Sequence, residues 1–384
     1  MSFLDLAVVC AVALAGPLLA TPRGWHLPVV LGELLAGAVL GLSGFGVLDA
    51  GDPTFTFLGD CGFVLVMFVA GSHVPVRDQR LRPALRTGVL RAVVVGLVAT
   101  ALGYAVAGLV GISHAPMYAV VLASSSAALV LPIVDSLRLD GPAVVDLLPQ
   151  IAVADTLCIV LLPLAIDPDH ALRAAVGALA VLVAGVVMFL VLRAVERSGI
   201  RQRVHDVSEE RGFAVELRVS LAAMFAMAAL AVATHVSLML AGFVSGLVVA
   251  AVGEPRRVAK QLFAVTEGFF GPLFFVWLGA GLQLRALVQH PSMAVLGVCL
   301  GAGAVLAHLV TVPLGQPAPY ALLASAQLGV PVAAATVGGQ LGLLEPGEGA
   351  ALVLGALVVL AVTILGGSLA ARPHPHAQAE ASIP

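Results

Sequence analysis

The chain consists of long apolar segments separated by short polar or charged breaks. Thirteen such segments can be marked, most of them near the roughly 20 residues that a helix needs to cross a bilayer core. No segment alternates polar and apolar residues as the strands of an outer-membrane barrel do. The pattern predicts an all-α polytopic membrane protein with about 13 transmembrane helices, at residues 3–20, 27–44, 55–73, 86–111, 114–135, 142–166, 172–193, 213–234, 236–252, 262–284, 292–314, 318–342 and 349–371.

Composition supports the same class and excludes others. The chain has 384 residues, of which 60% are hydrophobic and 11% charged, and its mean hydropathy is +1.07. An ordinary soluble domain carries about 25% charged residues, so this chain lacks the charge to cover a water-exposed surface. A formal net charge of -3 argues against a nucleic-acid partner. The cysteines Cys10, Cys61, Cys158 and Cys299 have neither disulfide nor metal-ligand spacing, and we expect no metal and no cofactor.

The basic residues predict the orientation. Most of the 19 Lys and Arg residues lie in loops that follow odd-numbered segments, whereas loops after even-numbered segments carry only Arg173 and Arg285. By the positive-inside rule, this segregation places the N-terminus outside and the C-terminus in the cytoplasm, in the plasma membrane of a bacterium. The outer loops are acidic instead and include Glu345 and Glu348. Arg91 lies near the start of a helix.

The chain is predicted to form one transmembrane domain, residues 1–371, and a short cytoplasmic tail, residues 372–384. The first segment has no basic region before it and is followed at once by a second span, so it does not read as a removable signal. The tail is polar and predicted to be disordered. Its histidines, His374 and His376, are expected to be inert rather than metal-binding.

Two of the thirteen segments are interrupted by polar and helix-breaking residues. The fifth contains Ser124-Ser125-Ser126 and Pro132, where the proline removes a backbone donor and frees a carbonyl. The twelfth contains Ser325-Ala326-Gln327-Leu328-Gly329 followed by Pro331. Single breaks mean little in a chain with 41 Gly and 23 Pro. Two broken helices in corresponding, antiparallel positions, however, are typical of transporters built from inverted repeats.

Few ionisable residues lie within the membrane-spanning segments. A charged side chain there is energetically costly, so each such residue is a candidate for a functional role. Asp155 is near the middle of the sixth segment, and a carboxylate there can carry a proton or exchange it for a cation. His308 lies within the eleventh segment and is a plausible partner and pH sensor for Asp155. Glu33, in the second segment, is a structural or coupling candidate. Asp60 and His73 are interpreted as interfacial residues at the two ends of the third segment.

Polar residues near these sites complete a candidate ion pathway. A desolvated cation needs oxygen ligands, which side-chain hydroxyls, amides and freed backbone carbonyls can provide. The candidates are Ser125, Ser126, Thr156, Pro132 (through the backbone carbonyl that it leaves without a donor), Gln150 and Gln327.

Several motifs give the chain a family resemblance over essentially its whole length. Gly32-Glu33-Leu34-Leu35-Ala36-Gly37-Ala38-Val39-Leu40-Gly41, Phe68-Val69-Ala70-Gly71, Ser124-Ser125-Ser126, Ala241-Gly242-Phe243-Val244-Ser245-Gly246-Leu247 and Pro272-Leu273-Phe274-Phe275-Val276-Trp277-Leu278-Gly279 are the segments that carry it. Together they resemble the monovalent cation:proton antiporters of the Kef type, within the sodium/proton exchanger fold. The Gly-Glu and Pro-Leu-Phe-Phe segments are the most specific.

The resemblance implies a dimerisation domain, a core domain with two crossing broken helices, and elevator-like alternating access. It implies that Asp155 is the ion-binding aspartate, and that His308 stands where the family has a lysine or arginine. The family usually has a second polar residue before the aspartate, whereas Ala154 precedes Asp155 here. A single carboxylate can hold a single charge, which favours electroneutral, one-for-one exchange.

Three functions can be set against these residues. The first is a secondary antiporter, a homodimer that exchanges Na+ or K+ for H+ with Asp155 as the carrier. The second is a transport-deficient membrane sensor or regulatory subunit on the same scaffold, which the replacement of a basic residue by His308 supports. The third, a membrane enzyme, fits poorly, because Asp155 has no second catalytic group at a suitable spacing. The glycine cluster at residues 41–46 ends a membrane helix and is not interpreted as a dinucleotide site.

Overall fold

The computed structural model describes residues 1–21, 29–74, 84–198, 215–234, 236–253 and 256–371, and the predicted tail lies outside them. These residues form eighteen α-helices together with short 3₁₀ turns and a π-helix at Thr266–Phe270. The helices are α1 Phe3–Ala13, α2 Ala15–Ala20, α3 Val29–Leu40, α4 Pro53–Ser72, α5 Leu85–Val110, α6 Ala115–Ala123, α7 Ala127–Ser136, α8 Pro142–Ile166, α9 Ala171–Arg197, α10 Val215–Ala233, α11 Leu238–Val252, α12 Arg256–Val265, α13 Gly271–Gly281, α14 Leu284–Gln289, α15 Pro291–Leu309, α16 Ala318–Ala324, α17 Gly329–Gln340 and α18 Glu348–Ala370.

Each predicted apolar segment coincides with one or more of these helices. Within the described ranges, nine helical segments are long and apolar enough to cross a membrane. Three further apolar helices, Val29–Leu40, Leu217–Ala233 and Leu238–Val252, have only 10–17 residues. The all-α membrane fold is therefore confirmed, whereas the count of thirteen crossings stays a prediction.

Both predicted broken helices are present, but their breaks lie earlier than the prolines suggested. The first helix ends at Ala123 and resumes at Ala127, so Ser124–Ser126 form the unwound segment. Pro132 lies within α7, six residues beyond the break, and its side chain is outside the described ones. In the second, Ser325–Leu328 separate α16 from α17, and Pro331 is already helical. Proline is tolerated there because the first turn of a helix has no hydrogen-bond partner for its N–H groups.

The helices form two groups that pack mainly among themselves. In the core group, α5 packs against α6, α8 and α15, and α18 packs against α15, α16 and α17. In the flanking group, α4 packs against α11 and α13, and α3 packs against α13 and α1. The core group, α5–α8 and α15–α18, therefore contains both broken helices, in sequence-distant halves of the chain. The helix α9 contacts both groups, through α8 and α11.

Glycine allows the flanking helices to approach each other closely. A Cβ on Gly246 of α11 would lie 2.0 Å from the carbonyl oxygen of Phe68 on α4, and one on Gly242 would lie 2.4 Å from that of Val64. Reciprocally, a Cβ on Gly71 would lie 2.2 Å from the carbonyl oxygen of Phe243. Small residues spaced by four bring helix backbones together in membranes. The motifs Ala241–Leu247 and Phe68–Gly71 are thus the contact surface of one helix pair.

Candidate ion-binding site

The two unwound segments meet and are joined by side-chain hydrogen bonds. The hydroxyl of Ser124 donates to Oε1 of Gln327 over 2.5 Å, and the hydroxyl of Ser125 donates to the carbonyl oxygen of Ala324 over 2.6 Å. Ser124, Ser125 and Gln327 are each at most 1% exposed. Unwound backbone inside a membrane must be satisfied by protein or line a cavity. At this crossing, each break supplies partners for the other.

Asp155 lies on α8 next to this crossing. Its side chain is 5% exposed, and its Oδ2 accepts a hydrogen bond from the backbone N–H of Ala127 over 3.1 Å. Ala127 is the first residue of α7, so the carboxylate occupies the N-terminal end of a half-helix. That end carries unpaired N–H groups and the positive end of the helix dipole, which stabilise an anion. The predicted carrier residue is therefore buried at an anion-stabilising position.

His308 approaches the same break from α15. Its Nδ1 lies 2.9 Å from the carbonyl oxygen of Ala304, so Nδ1 donates, and its Nε2 lies 3.4 Å from the hydroxyl of Ser125. The ring is 1% exposed. No contact recorded in the described ranges joins His308 directly to Asp155. Instead, His308 contacts Ser125 in the unwound segment, and Asp155 contacts Ala127, two positions later at the start of α7.

The other candidates differ in how they relate to the crossing. Gln150 is 1% exposed, and neither atom of its amide has a partner among the described residues; Nε2 of Gln327 also lacks one. Ser126 is buried, but its carbonyl accepts from the N–H groups of Leu129 and Val130 and is not free. Thr156 is only half-buried, and no described contact places it at the crossing.

Glu33 is buried as well, but in the flanking group. It lies on α3 and is 4% exposed. A Cβ on Gly16 would lie 2.8 Å from its Cγ, which shows how closely the carboxylate arm packs against the first apolar segment. This position fits the structural interpretation of Glu33 better than a place in the ion pathway.

Sequence reasoning assigned one acidic residue to the wrong environment. Glu348 was expected in an outer loop, yet it is 0% exposed at the first position of α18. Its Oε1 accepts from the Tyr118 hydroxyl over 2.6 Å and lies 2.8 Å from Nδ1 of His114, and its Oε2 accepts from the N–H of Glu345 over 2.8 Å. Glu348 therefore ties the start of α6 to the start of α18.

Arg91 was also missed as a buried residue. It is 4% exposed on α5, with its NH1 group 3.7 Å from the Asp146 carboxylate of α8 and its NH2 group 3.5 Å from the carbonyl oxygen of Leu314. The sequence indicated only that Arg91 lies near the start of a helix, whereas the structure shows that it links α5 and α8 to the turn after α15.

Comparisons with known proteins give a consistent result. The sequence profile described as sodium/hydrogen exchanger, transmembrane, matches residues 9–372. Over 385 aligned residues, 24% are identical to the "Putative Na(+)/H(+) antiporter YjbQ" of Bacillus subtilis (strain 168), which covers 93% of this chain and 61% of that relative. Over 299 residues, 22% are identical to the "Probable Na(+)/H(+) antiporter 3" of Methanocaldococcus jannaschii, covering 72% and 71%.

A solved structure has the same fold. The sodium proton antiporter MjNhaP1 from Methanocaldococcus jannaschii superposes with a TM-score of 0.64 over 96% of both chains, at 16% sequence identity. The match confirms the predicted fold class. The chain spans about 61% of the length of the Bacillus relative.

Proposed function

Because the chain belongs to the transmembrane sodium/hydrogen exchanger family, a family of transporters, we propose that it exchanges a monovalent cation, Na+ or K+, for protons by alternating access. The observation that carries this proposal is the Asp155 carboxylate, buried in the core group and hydrogen-bonded to the first N–H of the half-helix α7. The names of the two relatives, both Na+/H+ antiporters, support the same activity.

Exchange follows from competition for one carboxylate. In the protonated state Asp155 is neutral and can be held in the membrane without a counter-ion. When the proton leaves, the negative charge is stabilised by the Ala127 N–H and the half-helix dipole, and it can take up one cation. The hydroxyl oxygens of Ser125 and Ser126 then replace part of the water around the cation. The carboxylate binds either one proton or one monovalent cation, so the exchange is one proton for one cation.

His308 controls the charge beside the break. With Nδ1 donating to the Ala304 carbonyl, a neutral ring presents the lone pair of Nε2 toward the Ser125 hydroxyl. That hydroxyl already donates to Ala324, so a second proton on the ring would let Nε2 donate to Ser125 instead. The resulting positive charge would disfavour a cation in the same segment. His308 thus acts as a competitor of the cation under acidic conditions.

The division into two groups of helices supplies the moving parts. The core group carries Asp155 and both broken helices, and it slides against the flanking group to expose the carboxylate to either side. We assign the flanking group to a homodimer interface, as the resemblance implies. The orientation with the N-terminus outside a bacterial plasma membrane rests on the distribution of Arg and Lys.

A sensor or regulatory subunit without transport is the second candidate. The observation that favours it is His308, which stands in the position of a lysine or arginine and is tied to its own helix through Ala304. A sensor would bind H+ or cation at Asp155 without moving either across the membrane.

Flux measurements separate the two candidates. The purified protein in liposomes, with a pH-sensitive dye inside, should respond to added Na+ or K+ by moving protons. Asp155→Asn should abolish that response, because an amide cannot exchange a proton for a cation. The matched control is Asp140→Asn, an exposed carboxylate in the loop between α7 and α8. No proton movement by the wild type under Na+, K+ or Li+ would favour the sensor, and wild-type rates in Asp155→Asn would refute the carrier role.

A further inference from the structure

Polar side chains face each other across the boundary between the two groups of helices. On α4 of the flanking group, Thr56 and Asp60 are one helical turn apart, and on α17 of the core group Thr336 and Gln340 have the same spacing. The Nε2 of Gln340 donates to Oδ1 of Asp60 over 3.0 Å. Asp60 was expected at the end of its helix, but α4 begins at Pro53 and the carboxylate lies two turns inside.

A large cavity opens at this boundary. Its volume is about 680 Å³, far above the roughly 30 Å³ that a water molecule occupies in the liquid. Thr56, Thr336 and Gln340 line it, together with loop residues that include Asp49 and Glu345 on the face predicted to be outside. The cavity can therefore admit a hydrated ion to Gln340, whose amide contacts Asp60.

Thr336, one of the residues that line the cavity, has a hydroxyl group without a hydrogen-bond partner among the described residues. Its side chain is 5% exposed. Buried hydroxyls are normally paired, and each exception needs an explanation. Thr336 lines the cavity and lies one helical turn before Gln340 on α17. An oxygen in that position is suited to a hard cation rather than to an apolar ligand.

We propose that this boundary holds a second monovalent-cation site, separate from Asp155, which rests on the proposed exchange function. A partly hydrated Na+ is bound there by the Asp60 carboxylate, the Thr336 hydroxyl and the amide oxygen of Gln340. The amide rotates to present its oxygen, so the Na+ replaces the direct hydrogen bond between Gln340 and Asp60. Water in the cavity completes the coordination shell. The site collects cations from the outer face before they reach Asp155.

Binding of ²²Na+ to the purified Asp155→Asn protein tests the site directly, because the carrier carboxylate is then absent. This protein should still bind Na+ saturably. Adding Asp60→Asn should raise the Kd at least about tenfold, which corresponds to about 1.4 kcal/mol. Adding Thr336→Val should raise it about threefold without a change of charge, so the test holds even if Asp60→Asn fails to fold. The proposal would be overturned if the Asp155→Asn protein bound no Na+, or if neither Asp60→Asn nor Thr336→Val changed its Kd for Na+.

Two controls isolate the site from general effects. Asp169→Asn removes an exposed carboxylate from the same predicted face, and Thr266→Val removes another buried, unpartnered hydroxyl that does not line the cavity. Neither should change the Kd for Na+, and a change as large as that of Asp60→Asn or Thr336→Val would contradict a specific site.

A separate flux experiment distinguishes failure of the proposed exchange function from failure of the second site. In liposomes, Asp60→Asn on the wild-type background should raise the half-saturating Na+ concentration on the cavity side and leave the maximal rate unchanged. A wild type that moves no protons, while the Asp155→Asn protein retains Na+ binding sensitive to Asp60→Asn, would refute exchange and keep the second site.

Discussion

The hydrogen bond between Ser124 and Gln327 is the most direct link between the two broken helices. The hydroxyl and the amide oxygen are 2.5 Å apart, and both side chains are at most 1% exposed. Replacing Ser124 by Ala leaves the amide oxygen of Gln327 without its partner inside the protein. Replacing Gln327 by Leu removes the acceptor, although the Ser124 hydroxyl can still donate to the Val121 carbonyl, 2.8 Å away. The two substitutions therefore have unequal costs and a measurable coupling.

The size of the coupling can be set from the geometry. Hydrogen bonds between helices in membranes have coupling energies that average about 0.6 kcal/mol and reach about 1.7 kcal/mol. The contact here is short and fully buried, so we expect a value in the upper part of that range, about 1–1.7 kcal/mol. Ser124→Ala alone should cost about 1–3 kcal/mol, the range for a buried polar atom left unsatisfied.

A double-mutant cycle measures this coupling. The free energy of unfolding is determined in mixed detergent micelles for the wild type, Ser124→Ala, Gln327→Leu and the double variant. The control cycle pairs Gln327→Leu with Thr363→Ala, since Thr363 is buried but its hydroxyl bonds to Val359 within its own helix. The control cycle should be additive. Additivity in the Ser124–Gln327 cycle as well would refute the inference that the two breaks stabilise each other through this bond.

Two further predictions concern packing and pH. Gly246→Ala should strongly lower the melting temperature, because its Cβ would lie 2.0 Å from the carbonyl oxygen of Phe68. Gly96→Ala should not, because a Cβ at that position has no atom of the described residues within 4 Å. Equal effects would contradict the close approach of the helices. Partial desolvation lowers the pKa of His73, which stays partly exposed, below its ordinary value of 6.5, and nearby Glu267 offsets part of that effect. The unfolded chain then binds the proton more readily, so His73 should make the wild type less stable as the pH falls through 6.5. His73→Phe, which can keep the ring stacked on Phe263, should reduce this loss between pH 7.5 and 5.5 in thermal unfolding; an unchanged pH dependence would contradict it.

The architecture was largely predictable because membrane helices must be apolar along their whole length. The apolar segments matched helices, and the resemblance to the cation:proton antiporters is confirmed by the family match, whereas the Kef type stays a prediction. The two broken helices were also predictable, since Ser124–Ser126 and Ser325–Gly329 combine hydroxyls, an amide and glycine in antiparallel positions. The exact breaks were not, because Pro132 and Pro331 are tolerated inside the second half-helices.

Features that depend on packing between distant segments escaped sequence reasoning. Glu348 looked like a loop acid because it precedes an apolar run, but its partners Tyr118 and His114 are more than 200 positions away in the chain. The expected pairing of Asp155 with His308 required a contact between α8 and α15, whereas Asp155 contacts Ala127 at the start of α7 and His308 contacts Ser125 in the unwound segment. Charge and hydropathy locate a residue in depth, but they do not say which neighbours it meets.

Proton release on cation binding tests the role of Asp155 most directly. Purified protein in weakly buffered solution is titrated with NaCl, and the pH change is recorded against a choline chloride control. The wild type should release a proton for each Na+ bound at the carrier, Asp155→Asn should lose this release, and Asp140→Asn should retain it. Release of the wild-type number of protons by Asp155→Asn would show that the carrier is another residue.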